Sequence, residues 1–438
     1  MTAMHVLIVS TFFPFPQNCG KARVLGGLCA FLAQHPRVSR LSYFHIARKP
    51  AEDKGPLAPG YRHEPGPAFS EVCRNLAGKL ATGRLPALQE AFTFSRGTRR
   101  RLWSFIEAEQ PDVIVADTIR AAQYLQDPGR PSGRYLLYLD DLFSLRYERI
   151  LELMDTIPEN GGNALGNFVS FVPRSLQPLA THRLSLRMLL SYERRAVARR
   201  ENEVVRHFAR SFLINPDEVE LLRQRSGSDD VFPLKMLTEP ASIRPSCDGA
   251  SRDFVFLGDL QLPHNRVAIE NLMRDGAAEM ARELPGYRVV IVGKGAPREL
   301  VEACQRTPNF TVAGFVPDLH ALLRHARGLL APLIFGSGVK IKCLEALRMG
   351  VPLVASRIGV EGLSVRSDIE YLHAEDAAGF IRQMKRLTDD AEHARIGAAG
   401  HAWFVGNYAP DLVWREYEQL LLNHDDEVPD PLREEAAA

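Results

Sequence analysis

Residues Gly328–Ser356 read GLLAPLIFGSGVKIKCLEALRMGVPLVAS. Gly328–Pro332 is an apolar run short enough for a buried strand, and Phe335-Gly336-Ser337-Gly338 reads as a turn. Lys340–Met349 then places Ile341, Leu344 and Leu347 at helical spacing, Gly350 stops the helix, and Val351–Ala355 opens the next strand. Strand, glycine turn, helix and strand form the repeating unit of a parallel sheet. The glycines then sit at a helix N-terminus and at the carboxyl end of a strand, where open α/β sheets place their ligands.

That position suits a diphosphate. The first N–H groups of a helix have no partner within it, the macrodipole favours negative charge there, and glycine lets a ligand approach the backbone. Lys340 and Lys342 add two cations at the positive helix end, an arrangement that calls for an anion beside them. Glu345, further along the helix, has the reach to accept two hydrogen bonds from a ribose diol. A plain glycine turn with solvated lysines is the other reading of these residues taken alone.

The alternation of apolar runs and helical patterns extends in both directions. Strands are expected at His5–Thr11, Leu41–Ile46, Val113–Ala116, Tyr135–Leu139 and Ser211–Ile214, then at Phe254–Leu257, Arg288–Val292, Thr311–Ala313, Gly328–Ala331, Leu353–Ala355 and Glu370–Leu372. Each half reads as its own doubly wound α/β domain. The expected organisation is a first domain over 1–235, a Pro- and Gly-rich linker over 236–252 and a second domain over 253–408. A helix over 409–424 carries Trp414, Tyr417 and Leu421 back onto the first domain, and an acidic, alanine-rich tail over 425–438 is expected to fray.

Composition narrows the class. A chain of 438 residues allows two or three domains at roughly 100–200 residues each. Its net charge of +1 gives no reason to expect nucleic acid as a partner. The six cysteines include no CxxC pair, which predicts free thiols in a reducing cytoplasm, with Cys343 a small buried helix residue. The start, MTAMHVLIVSTFFPF, lacks the basic stretch and cleavage site of a signal peptide, and no apolar run approaches the ~18 residues of a membrane span. No GxGxxG follows a strand with an acidic residue beyond it, which argues against a nicotinamide enzyme.

The run GSGVKIKCLEALRMGVPLVAS, followed by Gly359-Val360-Glu361-Gly362-Leu363, resembles the donor-binding domain of GT-B glycosyltransferases, most closely the bacterial family 4 type that builds exopolysaccharides. Three upstream stretches resemble the same domain in the same order. Phe256-Leu257-Gly258-Asp259-Leu260 with Pro263-His264-Asn265 is similar to its first strand and following loop. Val290-Ile291-Val292-Gly293-Lys294-Gly295 is similar to its glycine-ended second strand, and Gly314-Phe315-Val316-Pro317-Asp318-Leu319 to its base-binding loop.

The resemblance implies two Rossmann-like domains facing a central cleft and transfer of a sugar from a nucleoside diphosphate sugar, UDP favoured, without metal or other cofactor. Gly336, Ser337, Gly338, Val339, Lys340 and Lys342 are then expected on the diphosphate, Glu345 on the ribose, and Phe315 and Val316 on the base. Gly258, Asn265, Arg266, Gly293 and Glu361 border the cleft, with a structural turn role equally open for Asn265. Two departures stand out: Ser337 occupies a position where many retaining members carry a glutamate, and only Arg266 lies near the usual Arg/Lys pair. The stereochemical outcome is therefore open.

In the first half, Pro14–Arg23 resembles the family's glycine loop, which implies that Gly20, Lys21 and Arg23 face the transferred sugar or leaving phosphate; a simple loop and helix start also fits. Tyr135–Leu139 runs into Asp140-Asp141, and the run to Tyr147 resembles the carboxylate pattern of related exopolysaccharide enzymes. One of the pair, Asp140 by preference, is the expected general base if burial or the neighbouring like charge raises its pKa; an aspartate capping the next helix is the alternative. His45 is a weaker rival. Residues 166–206 interleave apolar side chains with arginines. That pattern fits an anionic membrane surface, and with it a lipid-linked saccharide acceptor at the inner face of the membrane, or else a core-facing helix with a basic solvent face. An epimerase or hydrolase on the same scaffold, or a catalytically idle partner in an assembly complex, are the competing functions.

Overall fold

Near-continuous apolar strands with polar ends are buried on both faces only when helices cover both sides of a parallel sheet. In the computed structural model, which describes residues 3–17, 20–81, 86–127, 129–154, 183–240 and 251–423, two such sheets form. The first contains β1 (Met4–Ser10), β2 (Val38–Ile46), β3 (Tyr61–Glu64), β4 (Val113–Asp117), β5 (Arg134–Asp140), β6 (Arg210–Leu213) and β7 (Val231–Pro233) in the order 3-2-1-4-5-6-7. The second contains β8 (Asp253–Leu257), β9 (Arg288–Val292), β10 (Phe310–Gly314), β11 (Gly328–Ala331), β12 (Leu353–Ala355) and β13 (Leu372–His373) in the order 10-9-8-11-12-13. All these strand pairings are parallel. The strand order reverses between β1 and β4 in one sheet and between β8 and β11 in the other. Those are the two points where such sheets open a crevice for ligands.

The described residues divide into two compact units. One gathers those within Met1–Glu148, Leu184–Thr238 and from Pro410 on; the other gathers those within Arg149–Arg183 and Glu239–Ala409. Residues 241–250 of the expected linker and the expected tail lie outside the described residues. The helix Pro410–Tyr417 and the π-turn Glu418–Leu422 bring the chain back to the first unit. There Tyr417 is fully buried and donates to Lys235 O at 2.7 Å, and its ring and that of Trp414 each lie 5.2 Å from Phe31.

Strands β3 and β7 escape the apolar pattern. The first reads Tyr-Arg-His-Glu and the second spans three residues, and both are edge strands, where polar and short sequences are tolerated. The strand expected at Glu370–Leu372 starts instead at Leu372. Glu370 closes a turn, accepting from Arg366 N at 2.6 Å and from its guanidinium. Of the arginine-rich stretch 166–206, residues 166–182 lie outside the described residues and the rest continues as the helix Arg183–Val204. Arg194 is ion-paired with Glu148 and Arg200 with the buried Glu90, so these two arginines belong to internal pairs. Among the described residues no helix is long and apolar enough to cross a membrane.

In the second unit Phe254, Phe256, Ile291, Leu330 and Val354 pack against Ile269, Leu272, Phe380 and Met384. Above this core β9 is followed by Gly293, with φ +153°. A Cβ there would stand 1.7 Å from Gly258 O at the end of β8. Backbone cannot yield as a flexible side chain does, so Gly293→Ala is expected to cost about 3 kcal/mol. The measurement is the thermal midpoint, expected to fall by about 5–10 °C; an unchanged midpoint would contradict this packing.

Candidate active site

The turn after β11 bends through Gly336 (φ +138°) and Gly338 (φ +68°), backbone that side-chain-bearing residues rarely adopt. It leads into the helix Ile341–Met349, whose N-cap is Lys340 and whose C-cap is Gly350. The Lys340 side chain is only 8% exposed. Its ammonium donates to Ser337 O at 3.2 Å and to Gly338 O, and lies 3.8 Å from Glu361 Oε2. The lysine thus curls back and ties the glycine turn to the helix start. Glu361 also takes both guanidinium arms of Arg149, which in turn donates to Gly336 O. Arg149 is the residue at which the second unit begins, within the helix Phe143–Leu153.

Lys342 goes elsewhere. Its ammonium donates to Asn265 Oδ1 at 2.8 Å and lies 4.7 Å from the centre of the Phe256 ring. Burial lowers its pKa to about 8. Asn265 is itself buried and donates to Asp259 O at 3.0 Å. Lys342 therefore bridges the helix after β11 to the segment after β8, and Asn265 holds a turn. Gly258 makes room for the Asn265 side chain, from which a Cβ would stand 2.6 Å away. Arg266 has its Nε buried with no hydrogen-bond partner among the described residues; Glu270 Oε1 is 3.9 Å off.

Glu345 lies on the helix after the turn, where its Oε2 accepts from Arg348 Nε at 2.9 Å. The expected base loop starts at Gly314, whose carbonyl accepts from Gly293 N at 2.8 Å. It leaves the Phe315 ring 74% exposed and Val316 half-buried. Asp318 closes the loop by capping the helix Leu319–Arg324 through Ala321 N at 2.8 Å. Cys343 is buried as expected, with its thiol on Gly359 O at 3.0 Å and its pKa pushed up to about 11 by burial.

In the first unit the strand ends β1, β4 and β5 carry a second cluster. Asp117 ends β4 fully buried, accepting from Ser10 Oγ at 2.5 Å and from Lys21 Nζ at 2.7 Å. Lys21, expected on the leaving group, is thus ion-paired with a carboxylate that the strand reading stopped one residue short of. Gly20 starts the helix Gly20–Gln34, and Arg23 on it is exposed.

Asp140 sits at a register shift at the end of β5, with φ +73° and 8% exposure. Tyr138 donates its hydroxyl to Oδ1 at 2.7 Å. Burial raises the Asp140 pKa from 3.8 to about 6; Asp141 adds to the rise, while Lys21 and the Tyr138 bond oppose it. Asp141 is ion-paired with Arg146. The start of the next helix is held by distant glutamates. Glu218 takes Leu142 N at 2.7 Å, and Glu201 takes Ser144 N at 3.2 Å together with its hydroxyl. Burial pushes Glu201 up to about 7. His45 is buried on Tyr61 OH at 2.9 Å and lowered to about 4 by burial and by His63, so it stays neutral.

Residues 251–390 match the family model described as glycosyl transferases group 1. That stretch lies within the second unit and is similar to the family's domain. No curated protein matches the sequence. Among solved structures, the apo lipopolysaccharide outer core galactosyltransferase WaaB aligns over 95% of this chain and 99% of its own, with TM-score 0.62 and 11% identity. Sucrose-phosphate synthase from Thermosynechococcus elongatus aligns over 99% and 100%, with TM-score 0.63 and 14% identity. Anabaena HepE, solved in complex with UDP and glucose, aligns over 96% and 99%, with TM-score 0.59 and 12% identity. The described residues have the GT-B fold.

The buried Asp140 yields a stability test. A carboxyl whose folded pKa is raised loses stability as pH climbs from the unfolded value of 3.8 through about 6. At about 1.4 kcal/mol per unit, its ionisation costs the fold about 3 kcal/mol at neutral pH. Asp140→Asn is therefore expected to raise the thermal midpoint at pH 7.5 and to leave it unchanged near pH 4. Destabilisation at both values would contradict the assignment.

Proposed function

We propose that the chain transfers a hexosyl group from a nucleoside diphosphate sugar, UDP favoured, to a hydroxyl of a saccharide acceptor. The observation that carries this reading is Lys340, a buried cation at a helix N-terminus behind a glycine turn, within the stretch similar to the group 1 glycosyltransferase domain. Charge builds on the departing diphosphate as the glycosidic bond breaks. Fixed cations and backbone N–H groups stabilise it without having to reorganise. Lys340 and the turn Gly336–Val339 supply these. Glu345 takes the ribose hydroxyls, and the exposed loop at Phe315 and Val316 takes the base. UDP is favoured because HepE, of the same fold, is solved with UDP.

The acceptor hydroxyl must lose its proton as it attacks. Asp140 is the better base of the pair, because its raised pKa of about 6 lies close to neutral pH while leaving it ionised there. Asp141 is committed to Arg146. The acceptor we favour is a lipid-linked saccharide of a cell-surface glycan, met by a cytoplasmic enzyme at the inner face of the membrane. Leu184 and Met188, exposed on the helix that carries Arg187, support that contact.

The test is sugar transfer from UDP-hexoses to a lipid-linked acceptor in anionic vesicles and to a soluble saccharide. Lys340→Met is expected to cut turnover about a hundredfold or more in protein that remains folded, with any fall in the thermal midpoint measured alongside. Turnover near the parent level would remove Lys340 from the mechanism, and transfer to the soluble acceptor alone would remove the membrane.

A further inference from the structure

We propose that Arg348 is a positioning residue for the nucleotide: it fixes the carboxylate that takes the ribose and ties it to the helix that follows the base loop. The proposal rests on the ribose role given to Glu345 above. Arg348 lies one helical turn beyond Glu345, and its side chain is 3% exposed. Its Nε and Nη2 both stand 2.9 Å from Glu345 Oε2. Nη2 also lies 2.7 Å from His320 Nε2, and Nη1 donates to Pro240 O at 3.1 Å. Its backbone carbonyl faces His401 Nδ1 at 2.9 Å.

Arginine only donates, so His320 Nε2 accepts, which places the imidazole proton on Nδ1. His320 is the second residue of the helix Leu319–Arg324, which begins directly after the base loop Gly314–Asp318. The guanidinium therefore joins the base-loop helix to the ribose carboxylate by two side-chain contacts. Glu239 adds a weaker partner, with Oε2 3.7 Å from Arg348 Nη1 and 4.0 Å from His320 Nε2.

A glutamate side chain has three rotatable bonds, and aiming it at a diol costs rotamer entropy. The planar arginine fork, already ordered by burial and by acceptors on three chain segments, removes that cost before the nucleotide arrives. Sequence reading passes over Arg348 because an arginine near a helix C-terminus is ordinary there, favoured by the dipole.

The experiment is calorimetric titration with UDP and with 2′,3′-dideoxy-UDP, which lacks both ribose hydroxyls. The parent is expected to favour UDP by about tenfold to a hundredfold, the range for hydrogen bonds to a charged group. Glu345→Ala should bring that ratio close to one. Arg348→Met should also collapse it, while affinity for the dideoxy compound stays within about threefold of the parent. Arg348→Lys, which keeps the charge but not the fork, should lower the ratio at least threefold. A parent-like ratio in either folded variant, or equal loss of both affinities, would overturn the proposal. UDP binding by the parent without discrimination would instead remove the ribose role of Glu345, and the positioning role with it.

Discussion

A lysine at the N-cap of a helix places positive charge against the positive end of the dipole, and burial deprives that charge of water. Lys340 is in that position, and the surrounding structure compensates for it. Its ammonium takes the carbonyls of Ser337 and Gly338, which the left-handed Gly338 helps to turn toward it, and Glu361 stands 3.8 Å away. Lys340 and Arg149, which share Glu361, thereby hold together the turn, the helix start and the GVEGL segment. A diphosphate arriving at the same helix end would add the negative charge that these neutral carbonyls lack.

Much of this was legible in the sequence because it depends on local pattern. Glycines at 336 and 338, helical spacing from Ile341 and the order of four short motifs are properties of neighbouring residues. The partners were not legible. Lys342 has the same residue type and nearly the same position as Lys340, yet it faces Phe256 and Asn265 and braces the fold. One helical residue step is about 100°, so two lysines two positions apart point to different surroundings. Asp117, Glu201 and Glu218 were missed for a related reason. Each acts on a residue 57 to 107 positions away in sequence, which no local window contains. The edge strand β3 was missed because its polar sequence carries no apolar signature, and β7 because it spans only three residues.

The two units use one architectural device for different chemistry. Each opens at the reversal of its strand order, and each places ionisable side chains at the carboxyl ends of the strands there. In the second unit they include Lys340 and Lys342, each held by acceptors of the same unit. In the first they are buried carboxylates, Asp117 neutralised by Lys21 and Asp140 left with a raised pKa. Burial is the main cause of the rise at Asp140, and the neighbouring Asp141 adds to it.

The diphosphate cradle is tested most directly by the thermal midpoint of the parent protein with UDP, GDP, ADP and dTDP, each beside its monophosphate. A ligand at about 100 times its Kd stabilises the folded state by about 2.7 kcal/mol. One of the diphosphates, UDP by expectation, should raise the midpoint by several degrees and do so more than its monophosphate. No shift with any of the four, or a shift equal for mono- and diphosphate, would contradict a site built around Lys340.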